Sequence, residues 1–340
     1  MENNGEKMQK RKIGIIGAGL WGRNIIRNFY NLGYLHTVCD IDEENLKNVV
    51  NEYSNVNITK DYNEILNNPE IKGVVVVTPS HTHYKIVKEL LEHEKNVYVE
   101  KPISTVANEA LSLRNLADSK DLVLMVGHLL LYHPVVNRLK MLIEENVLGD
   151  IKYVQSDRLN INYFKNDRSV MWDLAPHDVS MISYIIDKKP KKVISAVGAS
   201  SSGNDIMDIT HITLEFEAGI IGHISDSWIH PQKRVNLLVR GTKATAIFDD
   251  TLSDNKLRIF DNTTPNNNQV ISLDYIEIEP LKLECQHFVT CIENKTKARS
   301  DGENGYEVVK VLEDAEKLML GEAKMKQLDN VSYVSSRSKR

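Results

Sequence analysis

The sequence predicts two domains: an α/β domain with a parallel sheet, followed by a strand-rich domain whose sheet is antiparallel or mixed. Three observations predict it. The first third alternates short apolar runs with helix-period patterns, the signature of parallel strands joined by crossover helices. From about Val193 onward, strand-like runs follow one another with only turn residues between them. And 340 residues is long for one hydrophobic core. The division is placed at 127/128, with the second domain running to 330 and a serine-rich, basic tail at 331–340 expected to fray.

In order along the first domain, 12–16 is an apolar run short enough to be a buried strand, and 20–31 carries a helical period. Residues 35–39 form a second strand and 43–52 a second helix, with Asp42 as the candidate N-cap. A short helical turn is expected at 62–66. The run 73–77, with four consecutive valines, reads as a strand covered on both faces. Residues 84–94 place Ile86, Val87, Leu90 and Leu91 on one helical face; strand 96–99, helix 108–119 and strand 122–126 complete the alternation. In the second domain, 151–159 alternates as a strand and 176–186 reads as a helix. Seven strand candidates then run from 193 to 273, with Glu217-Ala218-Gly219 as a hairpin turn and an asparagine-rich loop at 262–268. Helices at 281–293 and 306–320 close the chain.

The composition is that of a folded globular protein, 41% hydrophobic and 26% charged, with a formal net charge of −5. That balance lacks the basic footprint of nucleic-acid binding. The three cysteines, Cys39, Cys285 and Cys291, are too few and too odd in number for a disulfide framework, and are expected as thiols. Residues 1–12 are polar and lack the apolar stretch of a signal peptide, and no apolar run nears the roughly 20 residues that span a bilayer. A cytoplasmic location follows by elimination. No cluster of Cys, His and carboxylates has metal-ligand spacing, so no metal is expected.

The first strand runs directly into Gly17-Ala18-Gly19-Leu20-Trp21-Gly22, and a helix follows. This is G-x-G-x-x-G in the setting of a Rossmann domain. Gly17 allows the tight turn, Gly19 lets the backbone approach a pyrophosphate, and Gly22 lets helix and strand pack closely. The free N–H groups of the helix start then face the phosphates. Leu20 and Trp21 lie inside the loop, where Trp21 either covers the pyrophosphate or packs in the core. Asp40, at the end of the second strand, can bond the adenosine ribose hydroxyls and repels a 2′-phosphate, which favours NAD over NADP. Its plain alternative is a turn residue.

Two further stretches, Thr78-Pro79-Ser80-His81-Thr82-His83 and Glu100-Lys101-Pro102, follow later strands of the same sheet, and Trp172-Asp173-Leu174-Ala175-Pro176-His177-Asp178 lies in the second domain. Together with the glycine loop, and in this order, they resemble the glucose–fructose oxidoreductase / inositol dehydrogenase / MocA family. The resemblance runs from about Lys12 to about Leu320. It implies a Rossmann domain followed by an α+β domain with an open, mostly antiparallel sheet. It also implies hydride transfer between a nicotinamide and a sugar or cyclitol carbon, homodimers or homotetramers that bury the sheet face, and an unusual peptide geometry near Lys101-Pro102.

Oxidising a secondary alcohol needs a base for the hydroxyl proton. His177 suits the task because its ordinary pKa lies near working pH. Asp173, four residues earlier, would share its face on one helix and could orient the imidazole. A surface aspartate–histidine pair is the plain alternative. Lys101, at the strand-end edge where ligands bind, could hold developing negative charge on the reacting oxygen; otherwise it is a solvated loop lysine. Thr78, Pro79, His83 and Glu100 are expected at the cofactor's border, with His83 equally readable as a helix-start residue. His128, Tyr132 and His133 are expected to line a substrate cleft. His211, His223 and His230 read as sheet-surface or interface histidines.

Several segments resemble the subgroup that oxidises the 3-hydroxyl of UDP-N-acetylglucosamine or its uronate: 128–134, 148–151, Arg158-Leu159-Asn160 and 172–178. A diphosphate would call for cations. Arg158 is the first choice, with Lys165, Arg168, Lys233 and Arg234 also available, and Asn160 beside it as a further substrate contact. A dehydrogenase of a free sugar, inositol or other polyol is the alternative, and a non-catalytic nucleotide-binding regulator is a third possibility, against which the intact set of Lys101, Asp173 and His177 argues.

Overall fold

The computed structural model describes residues 12–161, 168–201, 203, 206–262, 270–272, 275 and 277–337. Lys165 and most of the asparagine-rich loop after Asn262 lie outside the described residues. The chain divides into two units, Met1–Pro134 with Ile276–Val309, and Val135–Tyr275 with Lys310–Arg340. The chain thus returns to its first unit late in the sequence, which a linear cut at 127/128 with the second domain continuous to 330 does not describe.

The first unit is built on strands β1 (Ile13–Ile16), β2 (Leu35–Cys39), β3 (Asn57–Thr59), β4 (Gly73–Val76), β5 (Asn96–Val99) and β6 (Leu124–Val126). They form one sheet in the order β3-β2-β1-β4-β5-β6, parallel at every pairing. All residues of β1 and β4 are buried, as unbroken Ile and Val runs require when helices cover both faces. Helices α1 (Leu20–Asn31), α2 (Glu43–Glu52), α3 (Asn63–Asn67), α4 (Ser80–Glu92) and α5 (Ala107–Ser119) supply the crossovers. Asp42 caps α2 by accepting the Glu44 N–H at 2.9 Å.

A later helix of this unit shows why the chain returns. Its buried Leu281, Glu284, Cys285, Phe288, Val289 and Cys291 follow a helical period. Phe288 meets Phe29 and Tyr98 edge-on at 6.5 and 5.8 Å. Burying an aromatic of this size stabilises by about 1.5–3 kcal/mol, so this helix, α8 here (Pro280–Asn294), belongs to the first core. Between α5 and α8 the chain forms α6 (Pro134–Glu144) and α7 (Val170–Ile186).

The second unit holds β7 (Ile151–Ile161), β8 (Pro190–Ala199), β9 (Ile209–Phe216), β10 (Ile221–Ser227), β11 (Ile229–Gly241), β12 (Ala244–Asp249), β13 (Leu257–Asp261) and β14 (Val270–Ser272). The order is β14-β13-β12-β11-β7-β10-β9-β8. Only β10 and β7 pair in parallel; the other neighbours are antiparallel, so the sheet is mixed and mostly antiparallel, as the sequence predicts. Helix α7 packs on one face. On another part of the sheet His211 and His223 stack with ring centres 6.0 Å apart. The last helix, α9 (Gly302–Arg337), breaks at Gly321 (φ +69°) and continues past Asn330, because no glycine or proline follows to stop it. Cys39, Cys285 and Cys291 are free and buried. Among the described residues no helix is long and apolar enough to cross a membrane.

Candidate active site

The strand order of the first unit gathers the motif loops. β1 ends at the glycine loop, β2 at Asp40, β4 at Thr78-Pro79 and β5 at Glu100-Lys101, and these four strands are adjacent in the order β2-β1-β4-β5. All four loops therefore lie along the C-terminal edge of the sheet. The winding reverses between β1 and β4, which is where open α/β sheets bind their ligands.

The glycine loop fits a dinucleotide. Gly17 has φ +106°, and a Cβ there would lie 2.4 Å from the Val77 carbonyl oxygen. A Cβ on Gly22 would lie 2.4 Å from the Gly17 carbonyl oxygen, so no larger residue keeps this strand–helix approach. Gly19 is the N-cap of α1, no side chain caps the helix, and the space over its Cα is open. The first N–H groups of α1 are thus presented to a phosphate. Asp40 braces the loop: Oδ2 accepts the Ala18 N–H at 2.6 Å and Oδ1 accepts the Asp42 N–H at 2.8 Å. A carboxylate offers about four acceptor sites, so these bonds leave capacity for a ribose hydroxyl. Leu20 is 89% exposed.

Trp21 joins this loop to the lysine turn. Its indole Nε1–H donates to Glu100 Oε1 at 2.7 Å, and Glu100 Oε2 accepts the Lys101 N–H at 3.2 Å. Burial pushes the Glu100 carboxyl up, and the Trp21 hydrogen bond and the Lys101 charge hold it back. The Lys101-Pro102 peptide is cis. Thr78 is half-buried, its hydroxyl 2.6 Å from that of Thr82, and Pro79 precedes the first residue of α4.

His83 keeps one of its two expected places, and three cleft expectations, His128, Tyr132 and His133, change. The sequence places His83 at the cofactor's border or at a helix start; it is in the first turn of α4 but only 1% exposed, with Nδ1 2.8 Å from the Pro102 oxygen and Nε2 2.8 Å from the Thr78 oxygen. Burial pushes the ring's pKa down, so it carries a single N–H that donates to one of the two carbonyls while its other nitrogen lies against the second, and His83 sits between the Thr78 loop and the Lys101-Pro102 turn. His128, expected along a cleft, is 1% exposed, against Asn304, and burial pushes it down to about 4, with the Lys101 charge adding and Asn304 opposing. Tyr132 is likewise interior, its hydroxyl 2.9 Å from that of Ser300, and His133 is buried.

In the second unit, α7 starts at Val170, six residues before Pro176. Pro176 lies inside the helix and removes one backbone hydrogen bond. The early start is what puts Asp173 and His177 one turn apart on a single helix face, both half-buried. Trp228 Nε1–H donates to Asp173 Oδ2 at 3.3 Å, a partner that no local pattern announces. Arg168 stacks over the Trp172 ring, 5.3 Å from its centre.

Arg158 departs from its expected role. Its Nε and Nη2 donate to Asp178 Oδ2 and Oδ1, both at 3.0 Å, and its side chain is only 16% exposed. Ser156 Oγ–H adds a bond to Asp178 Oδ1 at 2.7 Å. The guanidinium therefore neutralises a buried aspartate of α7, to which its Nε and Nη2 donors are turned. Asn160 lies two residues further along β7, on the same face by strand alternation, and is half-buried. Lys233 and Arg234 are exposed on β11.

Residues 11–128 match the GFO_IDH_MocA oxidoreductase family with its NAD-binding Rossmann fold, and residues 136–247 match the GFO/IDH/MocA C-terminal domain. A scyllo-inositol 2-dehydrogenase (NADP(+)), IolW of Bacillus subtilis strain 168, is 26% identical over 222 residues, which is 62% of this chain and 61% of that protein. A UDP-N-acetylglucosamine 3-dehydrogenase of Acidithiobacillus ferrooxidans is 24% identical over 240 residues, covering 70% of this chain and 74% of that protein. The solved structure of UDP-N-acetylglucosamine 3-dehydrogenase GnnA from Acidithiobacillus ferrooxidans superimposes with a TM-score of 0.80 at 22% identity, over 91% of this chain and 97% of that one. With both domains matched over most of its length, the chain belongs to the GFO/IDH/MocA family and is an oxidoreductase of CH–OH groups with an NAD(P)-binding Rossmann domain.

Proposed function

We propose that this chain uses NAD to oxidise a secondary alcohol of a sugar, and that its substrate is the 3-hydroxyl of UDP-N-acetylglucosamine or its uronate. The observation that carries the chemistry is the Trp21–Glu100 hydrogen bond, which ties the glycine loop to the turn bearing Lys101. A dinucleotide held by that loop and the lysine turn then share one scaffold. Asp40 supports NAD, because its carboxylate at the end of β2 repels a 2′-phosphate. The sequence likeness to the Acidithiobacillus 3-dehydrogenase, over 74% of that protein, supports the nucleotide sugar.

NAD, held by the glycine loop and Asp40, would supply the hydride acceptor for the alcohol carbon. The protein's residues handle the proton and the charge. His177, as neutral imidazole, takes the hydroxyl proton. Asp173, on the same helix face, holds the resulting imidazolium. The Lys101 ammonium hydrogen-bonds the reacting oxygen and stabilises the negative charge that develops as the proton leaves. With Arg158 committed to Asp178, the cations assigned to a diphosphate are Lys233, Arg234 and Arg168.

The test is absorbance at the NADH band with purified protein, NAD and four substrates: UDP-N-acetylglucosamine, its uronate, myo-inositol and glucose. A signal confined to the nucleotide sugars is expected. A signal confined to the free polyols moves the assignment to the second reading, which the inositol dehydrogenase likeness favours.

A further inference from the structure

Beneath α7 lies a row of polar side chains that the proposed chemistry leaves unused. β10 pairs in register with β7 on one side and β9 on the other, which sets Asp226 directly between Arg158 and Thr210. Paired residues on adjacent strands point to one face of the sheet. Asp226 and Thr210 are both 0% exposed. Neither Asp226 oxygen makes a well-formed hydrogen bond, nor does the Thr210 hydroxyl. Arg158, the one cation in the row, is turned onto Asp178 with both donors at 3.0 Å.

The charged groups facing Asp226 are Arg158 from β7 and Asp173 and Asp178 from α7, and Asp250 lies near Arg158. One positive charge thus stands among several carboxyls. A carboxylate at zero exposure without a well-formed hydrogen bond is costly, which favours the protonated acid. Burial, together with Asp178 and Asp173, pushes Asp226 well above the usual carboxylate range, and Arg158 and the adjacent Thr210 hydroxyl oppose this only in part.

We propose that Asp226 is a positioning residue for the Asp173–His177 helix: a carboxylic acid held in protonated form between Arg158 and Thr210. Its neutrality confines the charge under α7 to the Arg158–Asp178 pair and leaves Asp173 as the carboxylate available to His177. The positioning role rests on the catalytic reading of Asp173 and His177; the protonated state does not.

The experiment compares the full-length wild type with D226N, an isosteric neutral replacement. In infrared spectra at neutral pH, the wild type should show a protonated-acid carbonyl band that D226N lacks. A folded acid that keeps its proton above its unfolded pKa loses stability as pH rises. The melting temperature of D226N relative to wild type should therefore climb from about pH 5 to about pH 8. A carboxylate band in place of the acid band, a gap that stays constant with pH, or a D226N protein that does not fold would each overturn the proposal. With a turned-over substrate, D226N should keep the acid limb of the kcat/KM profile, since no charge is removed. D226A should lose about ten- to a hundred-fold in kcat, the usual scale for a group acting through another, and D226N should restore it. An acid limb that moves to lower pH in D226N, or a D226A variant with wild-type kcat, refutes the positioning role. The infrared and melting results need no substrate, so failure of the substrate assignment is told apart from failure of this proposal.

Discussion

Replacing Asp40 with asparagine should weaken NAD binding and shift the preference toward NADP. In the wild type each Asp40 oxygen accepts a backbone N–H, Ala18 at 2.6 Å and Asp42 at 2.8 Å. Asparagine offers one carbonyl oxygen; its amide nitrogen donates and cannot accept. One of the two backbone donors is then left facing another donor. The Ala18 N–H is the partly buried one of the two, and leaving it unsatisfied costs about 1–3 kcal/mol. If that cost falls on the loop geometry the dinucleotide needs, the Kd for NAD rises about five- to 150-fold. The lost charge also relieves repulsion of a 2′-phosphate, so NADP should weaken less than NAD. Calorimetric titration of both cofactors into wild type and D40N, with melting curves to verify folding, measures each effect. An unchanged NAD affinity with an unchanged NAD/NADP ratio would refute the reasoning. Equal weakening of both cofactors would reduce Asp40 to a brace of the loop.

Lys101→Ala and His177→Ala should each lower kcat by about 10²- to 10⁴-fold while leaving NAD affinity near wild type; wild-type turnover in both variants rejects the catalytic assignment. Arg158→Met leaves Asp178 buried without its cation and should cost about 3–5 kcal/mol in chemical denaturation. A stable R158M protein with a raised KM would return Arg158 to the substrate. Glu284, on α8, is 0% exposed and lies against the buried Tyr98 hydroxyl without a well-formed hydrogen bond. Burial, with the Glu100 charge adding, pushes it well above the carboxylate range. A raised acid stabilises the fold below its unfolded pKa and loses that contribution as pH rises toward its folded one. Glu284→Gln should therefore gain melting temperature over wild type as pH is raised, and a uniform loss at every pH would show that Glu284 is ionised.

The local signals were strong where element and signal occupy the same stretch of chain. α1, β2, α2 and β5 begin and end where their apolar periods, turn residues and the Asp42 cap place them. The glycine loop needed no tertiary knowledge either, because a strand, three spaced glycines and a helix start are consecutive. β3 carries no readable strand pattern, because it is three residues long and two of them are exposed. The start of α7 was misplaced for a physical reason: proline favours a first helical turn, but buried Val170, Met171 and Trp172 carry the helix six residues further back.

What the sequence by itself determined is thus most of the order of elements, the parallel character of the first sheet, the dinucleotide loop and the candidate chemistry of Lys101, Asp173 and His177; β3 and α6 (Pro134–Glu144) are not among its expectations. The tertiary structure alone decided which distant residues meet. His83 meets a carbonyl 19 positions away, and Arg27 pairs at 2.6 Å with Glu279, 252 positions on, as α8 rejoins the first core. Arg158, an available cation on the sequence, became the partner of Asp178 because strand register and the packing of α7 brought them together. Backbone propensity and side-chain period act over a few residues, whereas charge pairing and burial depend on which strands lie side by side, and that is settled only when the chain folds.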